Sequence, residues 1–116
     1  PASDSQATRI EHRVAGADSN PYLAIAALLA GIHIGIEHKL SAPTPISGNA
    51  WLEDDETPPL PSHMGTAISQ FSTSQAVRDY LSEPFQMAFT AVKTQELVEF
   101  ETRVTDFELE TYLASP

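Results

Sequence analysis

The feature that most constrains this chain is an apolar run from Tyr22 to Ile36, within the stretch RIEHRVAGADSNPYLAIAALLAGIHIGIEHKL at residues 9–40. The run is shorter than the roughly 20 residues that a helix needs to cross a hydrocarbon core, and His33 interrupts it. A helix that is apolar nearly all round lies inside a protein, so the run predicts a buried helix over residues 21–40. Asn20 is a natural N-cap, and proline suits the first helical position that follows it.

The segment before this helix, TRIEHRV at residues 8–14, alternates in the way that a strand does. Successive side chains of a strand point to opposite faces. The apolar face would carry Ile10, His12 and Val14, and the charged face would carry Arg9, Glu11 and Arg13. This is the only strand that the sequence predicts. A lone strand leaves its backbone groups unpaired, so its partners are expected from missing sequence or from another chain.

The second half of the chain predicts loop and then helix. Residues 41–61 read as a proline-rich acidic loop, and residues 62–114 as a helical tail. Within that tail, Ser72, Thr73 or Ser74 would open a short helix, and Thr105 with Glu108 forms a capping box for a last one. The predicted fold class is mainly α with one short β-strand.

Length and charge limit the possible functions. The 116 residues suit one domain, and 16 acidic against 6 basic side chains give a net charge of −10. Such a chain is not expected to bind nucleic acid or an anionic membrane, because both require a cationic surface. The absence of cysteine excludes disulfides and thiolate metal sites and fits a reducing compartment. We therefore expect a cytoplasmic protein.

The charged face at residues 9–13 is the strongest candidate for chemistry. Its three side chains would lie about 7 Å apart along a strand. Two guanidinium groups can grip carboxylate or phosphate oxygens, and a carboxylate between them is a suitable ligand for Mg²⁺ or Mn²⁺. The alternative is an ordinary solvated strand face with surface ion pairs.

The stretch at residues 9–40 resembles the C-terminal part of the glutamine synthetase catalytic domain, an α+β domain. In that family an R-I-E-x-R strand precedes a short loop, N-P-Y and a buried alanine-rich helix. The segments SGNAW, AVRDYL and VTDFELETYL resemble the family's tail, so the resemblance covers residues 1–116. His12 and VAGAD are closest to the branch that ligates glutamate to amines such as putrescine.

The resemblance implies an ATP-dependent ligase that activates glutamate as γ-glutamyl phosphate and passes it to ammonia or an amine. It implies that Arg9 contacts nucleotide phosphate and that Glu11 ligates Mg²⁺ or Mn²⁺. It also implies that Arg13 binds the glutamate carboxylate or its phosphorylated form during catalysis. Family members form ring-shaped homo-oligomers. They carry most of the sheet and of the nucleotide pocket upstream, so the chain alone is expected to be inactive.

Other candidates are weaker. His33 is expected to be a core histidine, and His38 to interact with the last carbonyls of its helix. The acidic run at residues 53–56 lacks the alternating ligand spacing of a calcium loop, and Lys93 is expected on an exposed face. The rival function is a non-enzymatic helical module that assembles with a partner, which the thin apolar content and the high acidity would also fit.

Overall fold

The computed structural model describes residues 9–45, 47–49 and 59–113. Their helices are α1 (Pro21–Glu37), α2 (Met64–Thr73), α3 (Gln75–Leu81), α4 (Glu83–Glu101) and α5 (Asp106–Leu113). The chain divides into two compact units, Pro1–Ser41 and Ala42–Pro116. The expectation of a mainly helical chain is confirmed. None of the described helices is both long enough and apolar enough to span a membrane.

The strand predicted at residues 8–14 is not seen. Residues 9–14 carry no regular secondary structure, and Thr8 lies outside the described residues. A strand is held by hydrogen bonds to a neighbouring strand, and the described ranges contain no other segment of strand. The physical reason for the difference is therefore the missing partner that the sequence itself led us to expect.

Helix α1 begins as the sequence predicts. The side-chain oxygen of Asn20 accepts hydrogen bonds from the amides of Tyr22 (3.0 Å) and Leu23 (3.3 Å), and proline follows at the first helical position. The helix ends at Glu37 rather than at residue 40, because Lys39 adopts a positive φ of 50°. A residue in this left-handed region commonly ends a helix.

The expected burial of α1 is not seen in this chain. None of its residues is buried, and its large exposed side chains are Tyr22, Ile25, Leu29 and Ile36. His33 is exposed as well, not a core residue, and its Nδ1 lies 3.7 Å from a carboxylate oxygen of Glu37 one turn later. A helix becomes buried only where other residues cover it, so the burial of α1 stays a prediction about a longer protein.

The second unit has an aromatic cluster at its centre. Helix α4 packs against α2 and α3. Phe85 and Phe89 are one turn apart on α4, and their ring centroids are 5.6 Å apart. Phe71 of α2 lies against both rings, with centroid distances of 6.4 and 5.0 Å. These three rings join α2 to α4.

Gln86 is the one residue of the described ranges that is buried, with 2% of its surface exposed. Its Nε2 donates to the backbone oxygens of Phe71 (2.7 Å) and Ser74 (2.9 Å). Its Oε1 accepts a hydrogen bond of 3.4 Å from Nε of Arg78. The last carbonyls of a helix lack partners within that helix, so this amide satisfies the C-terminal end of α2.

Two predicted caps are confirmed in this unit. The hydroxyl of Ser74 accepts from the amide of Val77 at 3.3 Å and opens α3. The amide of Thr105 donates to the Glu108 carboxylate at 2.7 Å, and the amide of Glu108 donates to the Thr105 hydroxyl at 3.3 Å. This is the reciprocal capping box that the sequence predicts before α5.

The capping box makes the start of α5 sensitive to acid. The backbone hydrogen bond from Thr105, and then its hydroxyl, lower the pKa of Glu108 below its ordinary value of 4.5. A lowered folded pKa means that this stabilisation is complete above pH 4.5 and disappears as the pH falls through the folded pKa. We expect the helical Cα chemical shifts of residues 106–113 to decrease over that range.

The matched control is Glu108→Gln, because glutamine can make the same cap without titrating. Its shifts should stay nearly constant over the same pH range. If both proteins lose helicity together, the Thr105–Glu108 contact is not the acid-sensitive element.

Candidate functional site

The three charged side chains at residues 9–13 lie together. Nε of Arg13 donates to Oε1 of Glu11 at 2.6 Å, and its Nη2 contacts the same oxygen. Nη2 of Arg9 lies 4.0 Å from the other oxygen, Oε2. Side chains two residues apart point the same way in an extended segment, which is why they meet without a neighbouring strand. The carboxylate therefore lies between two guanidinium groups.

This cluster is open to solvent. The side chains of Arg9, Glu11 and Arg13 are 72%, 51% and 84% exposed. Exposed ion pairs stabilise a protein by only about 0–1 kcal/mol, so the cluster contributes little to the fold. Both guanidinium groups remain accessible to an anion, and the carboxylate remains accessible to a cation.

The Glu11 carboxylate is suited to be one of several ligands of a divalent metal ion. Mg²⁺ prefers six oxygen ligands and is usually held by one or two carboxylates together with substrate phosphates and water. Within residues 9–45, 47–49 and 59–113, no group of three or more histidine or acidic side chains could hold a metal ion. The acidic run at residues 53–56, expected to be a solvated loop, lies outside those ranges. A complete metal site therefore needs ligands beyond the described residues.

The second unit contains an apolar groove of about 430 Å³ between α2 and α4. Ala67, Ile68, Phe71 and Phe89 line it, with Lys93 at its edge. The Lys93 amine lies 5.6 Å from the centre of the Phe89 ring and 2.7 Å from a carboxylate oxygen of Glu96. Lys93 is therefore half-buried on the packed side of α4, where the sequence led us to expect an exposed residue.

Gln86, the buried side chain that bonds to the other helices of the second unit, was not predicted from the sequence. It stands in a run of helical residues, and nothing in its spacing distinguishes it from exposed glutamines such as Gln95. Its partners Phe71 and Ser74 belong to a different helix and to the link that follows it. One weak signal exists: Gln86 lies next to Phe85 and one turn from Phe89 and Thr90, on the face of α4 that packs.

The chain belongs to the glutamine synthetase catalytic-domain family, whose model matches residues 1–112. It is 38% identical over 113 residues to gamma-glutamylputrescine synthetase of Escherichia coli (strain K12), covering 97% of this chain and 24% of that enzyme. It is 38% identical over 113 residues to glutamate–isopropylamine ligase of a Pseudomonas species, covering 96% of this chain and 24% of that ligase.

A glutamine synthetase of Methanocaldococcus jannaschii is 32% identical over 119 residues, which cover 97% of this chain and 26% of that enzyme. The chain thus spans about a quarter of the length of the curated relatives it matches. No solved structure matches it. The resemblance to the family is confirmed, and two of these relatives are named for amines.

Proposed function

We propose that this chain is part of an ATP-dependent ligase that joins the γ-carboxylate of glutamate to ammonia or an amine. The observation that carries the proposal is the carboxylate of Glu11 held between Arg9 and Arg13 in a member of this family. The reaction needs both charge types at one place, because phosphoryl transfer creates anionic oxygens that cations must stabilise.

Each of the three residues has a proposed role. Arg9 binds phosphate oxygens of the nucleotide, and Arg13 binds the glutamate side-chain carboxylate or its phosphorylated form. Guanidinium groups suit both tasks, since their planar N–H donors match carboxylate and phosphate oxygens in pairs. Glu11 provides one oxygen ligand to Mg²⁺ or Mn²⁺, which when bound neutralises charge on the transferred phosphoryl group.

The contact between Glu11 and Arg13 suggests how the site is prepared. The N–H groups of Arg13 that now bond to Glu11 can bind substrate oxygens only after the guanidinium group turns away from Glu11. Glu11 then has an oxygen free for the metal. In this proposal the ion pair keeps both side chains oriented on one face until substrate and metal replace the contact.

The complete protein would supply what this segment lacks. We propose that residues 8–14 become a strand there by pairing with strands from the rest of the catalytic domain, and that α1 is the buried support behind it. The exposed apolar side chains of α1 favour this arrangement. By its family the complete protein would be a homo-oligomer that acts in the cytoplasm.

An amine is the favoured acceptor. The identity to the two ligases named for putrescine and isopropylamine is 38%, against 32% for the glutamine synthetase of Methanocaldococcus jannaschii. The amine would bind outside the charged cluster at residues 9–13, because the two arginines of that cluster repel an ammonium group.

The test is phosphate release from ATP by the complete protein. Release should require glutamate and Mg²⁺ or Mn²⁺, and should be faster with putrescine or isopropylamine than with ammonia. The 116-residue chain alone should show neither release nor micromolar ATP binding in calorimetry, because it brings one carboxylate to the metal. Tight ATP binding by the short chain would contradict our view of the site, and glutamate-independent release would contradict the ligase.

A further inference from the structure

The link between α3 and α4 is a single residue in a strained conformation. Ser82 stands between Leu81 and Glu83 with φ 78° and ψ 150°. This combination of angles is essentially restricted to glycine, because a β-carbon clashes with the backbone there. Ser82 has no side-chain cap bond to α4 that would offset this cost. Contacts elsewhere must therefore hold the link in place.

Those contacts converge on Gln86. Its backbone amide donates to the oxygen of Ser82 at 3.0 Å, the first helical bond of α4, which does not depend on the side chain at position 86. Its side-chain amide bonds to Phe71 and Ser74, as described above. Arg78 reaches Gln86 from α3 and also lies 3.4 Å from Glu83, so it spans the strained link. One buried side chain thus connects α2, α3 and α4.

The three helices are not held equally well. Phe71 joins α2 to α4 through two aromatic contacts. Helix α3 has only seven residues and no buried ones. A helix of that length has little stability of its own in water. Its attachment depends on half-buried side chains such as Val77 and Leu81 and on the polar contacts of Gln86 and Arg78.

We propose that this corner is a latched joint: the side-chain bonds of Gln86 hold α3 against α4 while Ser82 is strained, and when these bonds break Ser82 relaxes and α3 moves away from α4 as a unit. Strain at the link favours the open form, and the buried amide bonds favour the closed form. Helix α4 and its aromatic contact with α2 persist through the opening. The joint is a conformational device of the fold, separate from the charged cluster at residues 9–13.

The proposal is tested by hydrogen exchange and mass spectrometry on the complete protein, read at residues 75–81. Ser82→Gly removes the strain and should slow exchange there about tenfold. Gln86→Leu removes the latch and should speed it about tenfold. Exchange within the centre of α4 should change less than threefold in either variant. Gln95→Leu, an exposed glutamine on the same helix, is the matched control and should behave as the unmodified protein.

The double variant tests whether the strain and the latch act on the same opening. In the proposed equilibrium Ser82 is still strained in the closed form of the Gln86→Leu protein, so adding Ser82→Gly should return exchange at residues 75–81 to within about threefold of the unmodified protein. Unchanged exchange after Ser82→Gly, in the unmodified or the Gln86→Leu background, overturns the proposal, as does parallel loss of protection in α4. Should Gln86→Leu fail to fold, Arg78→Met takes its place in the same cycle, because it removes the contacts across the link and leaves the amide buried.

Discussion

Replacing Glu11 by alanine should lower turnover of the complete protein by about two to three orders of magnitude, the size expected when one charge-stabilising group is removed from an active site. The free energy of unfolding should change by less than about 1 kcal/mol, because the carboxylate is half-exposed and its ion pairs are solvated. Steady-state phosphate release and the thermal midpoint, measured on the same preparation, separate the two effects.

The matched control is Glu99→Ala. Glu99 is an exposed carboxylate paired with Arg103, much as Glu11 is paired with Arg13, but it lies on α4 in the other unit. Its replacement should leave turnover within about twofold, as is usual for surface ion pairs. If Glu11→Ala lowers the midpoint strongly while the folded fraction keeps its activity, the charged cluster is a structural ion pair and the proposed metal role is wrong.

Phe71→Ala should lower the stability of the second unit by about 2–3 kcal/mol, less than the 3–5 kcal/mol typical of a fully buried phenylalanine because Phe71 is only half-buried. It removes the ring that contacts both Phe85 and Phe89. The measurement is the free energy of opening from hydrogen exchange of α2 and α4 in the complete protein.

Phe107→Ala provides the comparison, since Phe107 is 73% exposed and makes no ring contact in the described residues. It should change the opening free energy by less than about 0.5 kcal/mol. A similar loss in both variants would mean that the aromatic cluster does not hold α2 against α4.

Local chemistry explains what could be predicted from the sequence. The starts of α1, α3 and α5 depend on Asn20, Ser74 and the Thr105–Glu108 pair, each of which bonds to a backbone amide within three residues. Such contacts are encoded in short stretches of sequence and hold whatever the rest of the protein does. The convergence of Arg9, Glu11 and Arg13 is equally local, because it requires only an extended backbone.

Features that depend on distant residues could not be predicted in the same way. The bonds of Gln86 to Phe71 and Ser74 join residues 15 and 12 positions apart in two different parts of a helical unit. Neither the period of the apolar residues nor any cap signals them. The burial of α1 depends on segments that cover it, and the strand at residues 8–14 depends on a neighbouring strand. The described chain provides neither, so the sequence could indicate only that these two segments favour burial and an extended backbone.

The local character of the second unit also affects the order in which a chain of this kind acquires structure. Contacts among α2, α3 and α4 join residues that are close in sequence, and topologies of that kind form within microseconds to milliseconds. Helix α1 can also form quickly from local contacts, but its side chains Ile25, Leu29 and Ile36 are exposed in the described chain. We therefore expect the second unit to reach its contacts around Gln86 from its own sequence, whereas the exposed apolar face of α1 is a surface that a chaperone would bind wherever no other segment covers it.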